Sequence, residues 1–198
     1  MLPVHPRPLI LLLFGHSLVL ATDICRTQVP YDDMKREELV KAHEELRKTI
    51  AEGNLPNLQG TLPPAKNMYT LIYDCKMEEE VQKELAGCSG HATLSEKYGQ
   101  NYLVVPRAYM AADVSNRLKA AIAIWQGPQT YYGLKNFSNY DDNRLYTFAN
   151  MVHAKTLRFA CGYKDDCGAQ GAELLHISCI YNLMISEICC PKRFSNYQ

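Results

Sequence analysis

Between residues 36 and 52, Leu39, His43, Leu46 and Ile50 recur at helical spacing, with Glu and Lys on the opposite side. This predicts a first helix over 36–52 with one face toward a core. Gly53 and Asn54 end it, and Pro56, Gly60, Pro63 and Pro64 mark 54–65 as a loop. Met68, Leu71, Ile72, Cys75, Val81 and Leu85 lie near one face, which predicts a second helix over 67–86, closed by Gly87 and Gly90. Residues 101–105 read as a short apolar strand. Asp113 is the N-cap of a third helix over 114–125, whose face is Val114, Leu118, Ala121, Ile122 and Trp125. Gly127-Pro128 is expected to stop it, leaving 129–144, rich in Tyr, Asn, Asp and Gly, as a long surface loop. A helical turn over 145–155 follows, then strands near 157–163 and 173–181, with 164–171 as the turn between them. Residues 22–36 read as an irregular arm containing Cys25 and Pro30. There is no internal repeat, and helices interleaved with short strands point to an α+β layered domain.

The first residues change the picture from a fold to a compartment. His5 and Arg7 precede the apolar run Leu9 to Phe14, and Val19 and Ala21 are the small residues of a signal-peptidase site. Residues 1–21 are therefore expected to be a signal peptide, with 22–198 as one exported domain. The run is too short to cross a bilayer comfortably and is interrupted at His16 and Ser17, so no membrane span is expected. The formal charge is balanced at +0 with the signs interspersed, which gives no basic stripe for nucleic acid.

Eight cysteines, Cys25, Cys75, Cys88, Cys161, Cys167, Cys179, Cys189 and Cys190, lie beyond the signal. In an exported chain an even number reads as a disulfide framework, although eight cysteines allow about 105 pairings. Zinc is the competing reading, but no Cys-x-x-Cys pair exists to support it. Adjacent Cys189 and Cys190 are poorly placed to bond to each other.

Several runs carry a family resemblance. His43-Glu44-Glu45-Leu46-Arg47 followed by Ala51-Glu52-Gly53, and Ala65 to Met68 followed by Leu71-Ile72-Tyr73-Asp74-Cys75, are two of them. Cys88 and His91, Tyr98-Gly99-Gln100-Asn101, Trp125, and Phe148-Met151-Val152-Thr156 leading to Cys161-Gly162 continue the order, which Ile177, Cys179 and Tyr181 close. The ordered series over about 36–182 resembles the CAP (SCP/TAPS) family, and within it the activation-associated, venom allergen-like secreted proteins of nematodes. The resemblance implies a three-layer α-β-α sandwich with a central antiparallel sheet. It also implies bridges between Cys75 and Cys161 and between Cys167 and Cys179, and leaves Cys25, Cys88, Cys189 and Cys190 unassigned.

The family cavity typically presents two histidines and two acidic residues, a set able to hold a divalent metal such as zinc. Carried over residue by residue, His91 keeps the first histidine. Gln100 replaces the Gly-Glu-Asn glutamate, Pro128 stands at the second acidic position, and Thr147 stands where the second histidine would be. A neutral amide, a proline and a hydroxyl leave neither a zinc set nor an activated base. No catalytic residue, metal or other cofactor is therefore expected. His91 reads as a cleft-wall hydrogen-bonding residue. His153 is a substitute-ligand candidate that should lie on another helix face, and His43 is a core histidine. The face of His176 is left open by the pattern.

Neither a Gly-x-Ser-x-Gly elbow nor a His-Glu-x-x-His helix is present, which argues against a hydrolase. Asn136-Phe137-Ser138 is a glycosylation sequon. Tyr131, Tyr132, Phe137 and Tyr140 make the same region aromatic, suited either to protein recognition or to packing the loop down. The resemblance implies a secreted binding protein acting on extracellular or cell-surface proteins, including receptors of host cells such as leukocyte or platelet integrins. Sterol or lipid carriage, through an apolar groove near 129–144, is the alternative.

Overall fold

The structure, a computed structural model, describes residues 24–25, 32–135 and 142–185. Helices α1 (Asp33–Ala51), α2 (Cys75–Ala86), α3 (Val114–Tyr132) and α4 (Tyr146–Val152) surround strands β1 (Ile72–Tyr73), β2 (Gly99–Pro106), β3 (Arg158–Cys167) and β4 (Leu174–Tyr181). The strands form one sheet in the order β1-β3-β4-β2. Its three long strands pair antiparallel, and short β1 adds a parallel edge on β3. One extra residue on β3 between Lys164 and Cys167 makes a bulge against β4. The expected α-β-α sandwich is therefore present, with one parallel edge strand added.

Helix α2 covers one face of the sheet. Gly162 on β3 makes this approach possible, since a Cβ there would run into Gln82, Leu85 at 2.9 Å and Val81 at 3.2 Å. Helices α1, α3 and α4 cover the other face, where the His43 ring packs 4.3 Å from Phe159. His43 is fully buried between the layers. Its Nδ1–H donates to the Leu39 carbonyl at 2.8 Å, and its Nε2 accepts from the Tyr181 hydroxyl at 2.9 Å. One helical turn on, buried Arg47 donates to the carbonyls of Tyr69, Met151 and His153, holding the chain before β1 against the end of α4. Arg36, also buried, donates to both Glu78 carboxylate oxygens at 2.7 and 2.8 Å, and the Tyr73 hydroxyl donates to the same group. This pair ties α1 to α2 through the interior.

Three expectations from the periodicity give way. The second helix begins at Cys75, not near 67, because the Asp74 carboxylate caps it by accepting from the Lys76 and Met77 amides. The apolar residues before it belong to an extended approach to β1; Asn67 there has a φ of 58°. Helix α3 runs through Gly127-Pro128 to Tyr132. Proline at 128 removes only the donor to the Ile124 carbonyl, and Ile124 is exposed, so water can take that bond. Gly133, at φ 63°, ends the helix instead, with its N–H on the Gln129 carbonyl. The loop thus begins after Tyr132. Residues 164–167, expected as turn, continue β3.

The bridges implied by resemblance are also corrected. Cys25 bonds to Cys75, Cys88 to Cys167, and Cys161 to Cys179. The register explains it. Cys161 lies directly opposite Cys179 on neighbouring strands, whereas Cys167 lies opposite Leu174. At about 3.4 Å per residue, that leaves Cys167 and Cys179 roughly 17 Å apart along the sheet. Cys189 and Cys190 lie outside the described residues, as do the expected signal peptide and the sequon at Asn136.

Candidate functional site

The four positions that should form a polar cleft are carried by the loop after α2 (His91), by β2 (Gln100), by α3 (Pro128) and by α4 (Thr147). Gln100 is buried at 1% exposure and its amide is fully engaged. Its Nε2 donates to Glu84 Oε2 at 2.6 Å and to Ser178 Oγ at 3.0 Å, and its Oε1 accepts from the Leu94 N–H at 2.8 Å. One side of this residue needs a donor and the other an acceptor, which an amide satisfies and an ionised carboxylate does not. A glutamate here would face Glu84 at hydrogen-bonding distance, two like charges competing for one proton. The amide at 100 and the carboxylate at 84 are thus a matched pair.

Glu84 is the residue the sequence reading missed. Its other oxygen accepts from the Thr93 N–H at 2.6 Å and the Thr93 hydroxyl at 2.7 Å. Glu84 and Gln100 together staple the 88–94 loop to α2 and to the sheet. The available signal was its place on α2 three residues after buried Val81, on the side that meets the sheet.

His91 is exposed and turned into its own loop. Its Nδ1–H donates to the Ser89 carbonyl at 2.9 Å, while the Ser89 hydroxyl donates to the His91 carbonyl at 2.8 Å. Thr147 is half-buried; its hydroxyl donates to the Trp125 carbonyl at 2.9 Å, joining α4 to α3. Its own carbonyl accepts from Asn101 Nδ2 at 2.9 Å. Pro128, half-buried on α3, presents no side-chain donor or acceptor. Buried Asn150 completes the seam by donating to Asn101 Oδ1 at 2.9 Å and to the Gln100 carbonyl at 3.2 Å. Gly99 is needed beside it, because a Cβ there would sit 2.6 Å from Asn150 Oδ1 and 2.7 Å from the Leu183 carbonyl.

The other histidines among the described residues are engaged inside the fold. His153 is buried and shares a hydrogen bond of 2.9 Å with Thr156 Oγ1 in the turn after α4. His176 is buried on β4 and shares one of 3.0 Å with the Tyr102 hydroxyl. Burial holds the His176 imidazole below its ordinary pKa and pushes the Tyr102 phenol above its own. Burial also lowers His43 to about 4. Among the described residues, no group of three or more His, Cys, Asp or Glu is placed to hold a metal ion. The tetrad positions themselves do not fit a divalent cation, because the Gln100 oxygen and the Thr147 hydroxyl are committed to backbone partners.

Tyr131 and Tyr132, expected in a loop, end α3. Tyr131 is 78% exposed, and Tyr132 carries the Arg144 guanidinium over its ring at 4.3 Å. Phe137 and Tyr140 lie outside the described residues. A groove of about 490 Å³ lies elsewhere, between the outer side of α1 (Lys41, Glu44, Lys48) and Met68 to Thr70.

The model of the cysteine-rich secretory protein (CAP) family matches residues 40–181. "Ancylostoma secreted protein" of Ancylostoma caninum is 30% identical over 150 residues, which are 76% of this chain and 34% of the Ancylostoma protein. The crystal structure of Na-ASP-1 superposes with a TM-score of 0.71 at 26% identity, over 85% of this chain and 43% of that one. The crystal structure of hookworm platelet inhibitor shares the fold with a TM-score of 0.60 at 22% identity, over 85% and 83% of the two chains. This chain therefore spans about a third of the Ancylostoma protein and less than half of Na-ASP-1.

Proposed function

Because the chain belongs to the cysteine-rich secretory protein (CAP) family, we propose that it is an exported, non-enzymatic binding protein that acts through its outer surface on proteins of host cells, as a receptor antagonist. The observation that carries this reading is the state of the family's polar positions. Gln100 and Thr147 are spent on internal hydrogen bonds, Pro128 offers none, and His91 is turned into its own loop. Catalysis needs at least two groups converging on one reacting atom, one of them an activated acid, base or nucleophile. The hydrogen bonds at these positions act as staples between loop, helix and strand.

What this leaves for function is a rigid scaffold. Three disulfides among the described residues fit an extracellular protein. A relative of the same fold carries the name platelet inhibitor, which supports a cell-surface target. Cleavage after Ala21, giving a mature chain from residue 22, belongs to the same reading. Labelled oxidised protein added to platelets and leukocytes is expected to bind saturably, to be displaced by unlabelled protein, and to bind equally well as His91→Ala. Binding that vanished in that variant, or His91-dependent hydrolysis of model esters or peptides, would return the function to the cleft. Co-purification of sterol or fatty acid with no saturable cell binding would favour lipid carriage instead.

A further inference from the structure

The three disulfides between described residues differ in how an external thiol can reach them. Cys161–Cys179 lies inside the sheet, with both residues at most 1% exposed. Cys25–Cys75 has one buried end, and its half-buried end stands in the regular first turn of α2. Cys88–Cys167 also has one buried end, Cys167, but Cys88 lies just beyond α2 with Gly87, Ser89, Gly90 and His91 all exposed around it. The φ of Cys88 is 49°, in the left-handed region where an L side chain crowds its own backbone. Cys88 thus fills the place after the helix C-cap that glycine ordinarily takes, and its N–H bonds the Leu85 carbonyl at 3.0 Å. We infer that Cys88–Cys167 is a reducible latch, opened in the folded protein by a dithiol–disulfide oxidoreductase, and that opening it frees the strap of residues 88–92.

The strap covers a polar pair on the α2 side of the sheet. The Tyr102 hydroxyl is bonded by the Ser89 side chain and the Gly90 backbone, and it shares a hydrogen bond of 3.0 Å with Nδ1 of buried His176. Beyond the strap the chain is tied down again at Thr93, by Glu84, and at Leu94, by Gln100. Breaking the bond at Cys88 therefore releases the strap alone, and the pairing of β2, β3 and β4 does not run through it. The chemistry is thiol–disulfide exchange. A thiolate of the oxidoreductase attacks Cys88 Sγ, the S–S bond breaks, and Cys167 leaves as a thiolate that takes up a proton. The second thiol of the oxidoreductase then displaces Cys88 from the mixed disulfide. Two electrons and two protons pass to the cysteine pair, and the dithiol becomes a disulfide. Closed, the protein presents a fixed loop carrying His91; open, it uncovers Tyr102 and His176. The redox state of the surroundings selects between these two surfaces, independently of the receptor reading above.

The test treats the oxidised full chain with reduced thioredoxin under native conditions, traps thiols by alkylation at successive times and maps each cysteine by mass spectrometry. Cys88 and Cys167 are expected to be labelled together, at least about tenfold faster than Cys25, Cys75, Cys161 or Cys179. Hydrogen exchange on the same samples should speed up at 88–92 and stay slow in β2, β3 and β4. The double variant Cys88→Ser/Cys167→Ser should show that exchange pattern without reductant. The wild-type time course decides by itself should the variant fold poorly. Equal labelling of the three bonds, earlier labelling of either other bond, resistance of all three, or loss of protection across the sheet as Cys88–Cys167 opens would each overturn the inference.

Discussion

At the scale of single residues, His43 shows how burial sets chemistry. Its ring is sealed between α1 and the sheet with both nitrogens bonded. Desolvation is the main cause that lowers its pKa from 6.5 to about 4, with the Leu39 carbonyl opposing. Between those values the unfolded chain binds a proton that the folded one refuses. The contribution is therefore complete above about pH 6.5 and is lost as pH falls toward 4, amounting to about 3 kcal/mol. Urea titrations at pH 7 and 4.5 are expected to show a steeper fall in stability for the wild type than for His43→Gln. Equal slopes would mean that His43 does not report this burial. Gln100 makes the complementary point: a neutral side chain occupies a site where the family's acid would face a carboxylate.

At the scale of elements, the close seating of α2 on the sheet depends on one missing side chain. A methyl group at 162 would press on Gln82, Leu85 and Val81 across the interface. Overpacking of this kind costs about 1–3 kcal/mol, so Gly162→Ala should lower the melting temperature by several degrees. Gly127 is the useful contrast. It lies inside α3, and an added Cβ would meet nothing nearer than Tyr131 at 3.9 Å. Gly127→Ala should be neutral or stabilising by up to about 1 kcal/mol, since alanine favours the helix. Calorimetry on both variants decides it; a Gly162→Ala protein as stable as wild type would mean that α2 is not seated this closely.

Across the whole molecule, covalent and buried polar links join segments far apart in the chain. Arg36 and Glu78 connect α1 with α2, and Arg47 gathers the carbonyls before β1 and after α4. The Cys88–Cys167 bond spans 79 residues and fixes the loop carrying His91 to the end of β3. Closing a loop of that length stabilises by about 4 kcal/mol on the chain-entropy account. The double variant Cys88→Ser/Cys167→Ser should lose stability of that order in denaturant titration. An unchanged midpoint would show that this bridge constrains little. Peptide mapping of the unreduced wild type should recover Cys25–Cys75, Cys88–Cys167 and Cys161–Cys179.

The sequence by itself determined the family, the α+β layering and the start of α3 at Asp113, because each rests on residue type and local spacing. His43, Leu39, Leu46 and Ile50 announced a core-facing helix, and the core is where they are. Tertiary structure decided what depends on distances between remote segments. Sheet register, which a run of strand residues does not state, set Cys161 opposite Cys179 and kept Cys167 away from it. Asp74 capping and pairing with β3 turned the first part of the expected second helix into strand and approach. Pro128 could remain inside α3 because the carbonyl it leaves without a donor belongs to an exposed residue, a fact about surroundings that no local pattern contains. Glu84 shows the same limit: its place three residues after Val81 puts it near the sheet, but only the fold brings Thr93, Gln100 and Ser178 to meet it.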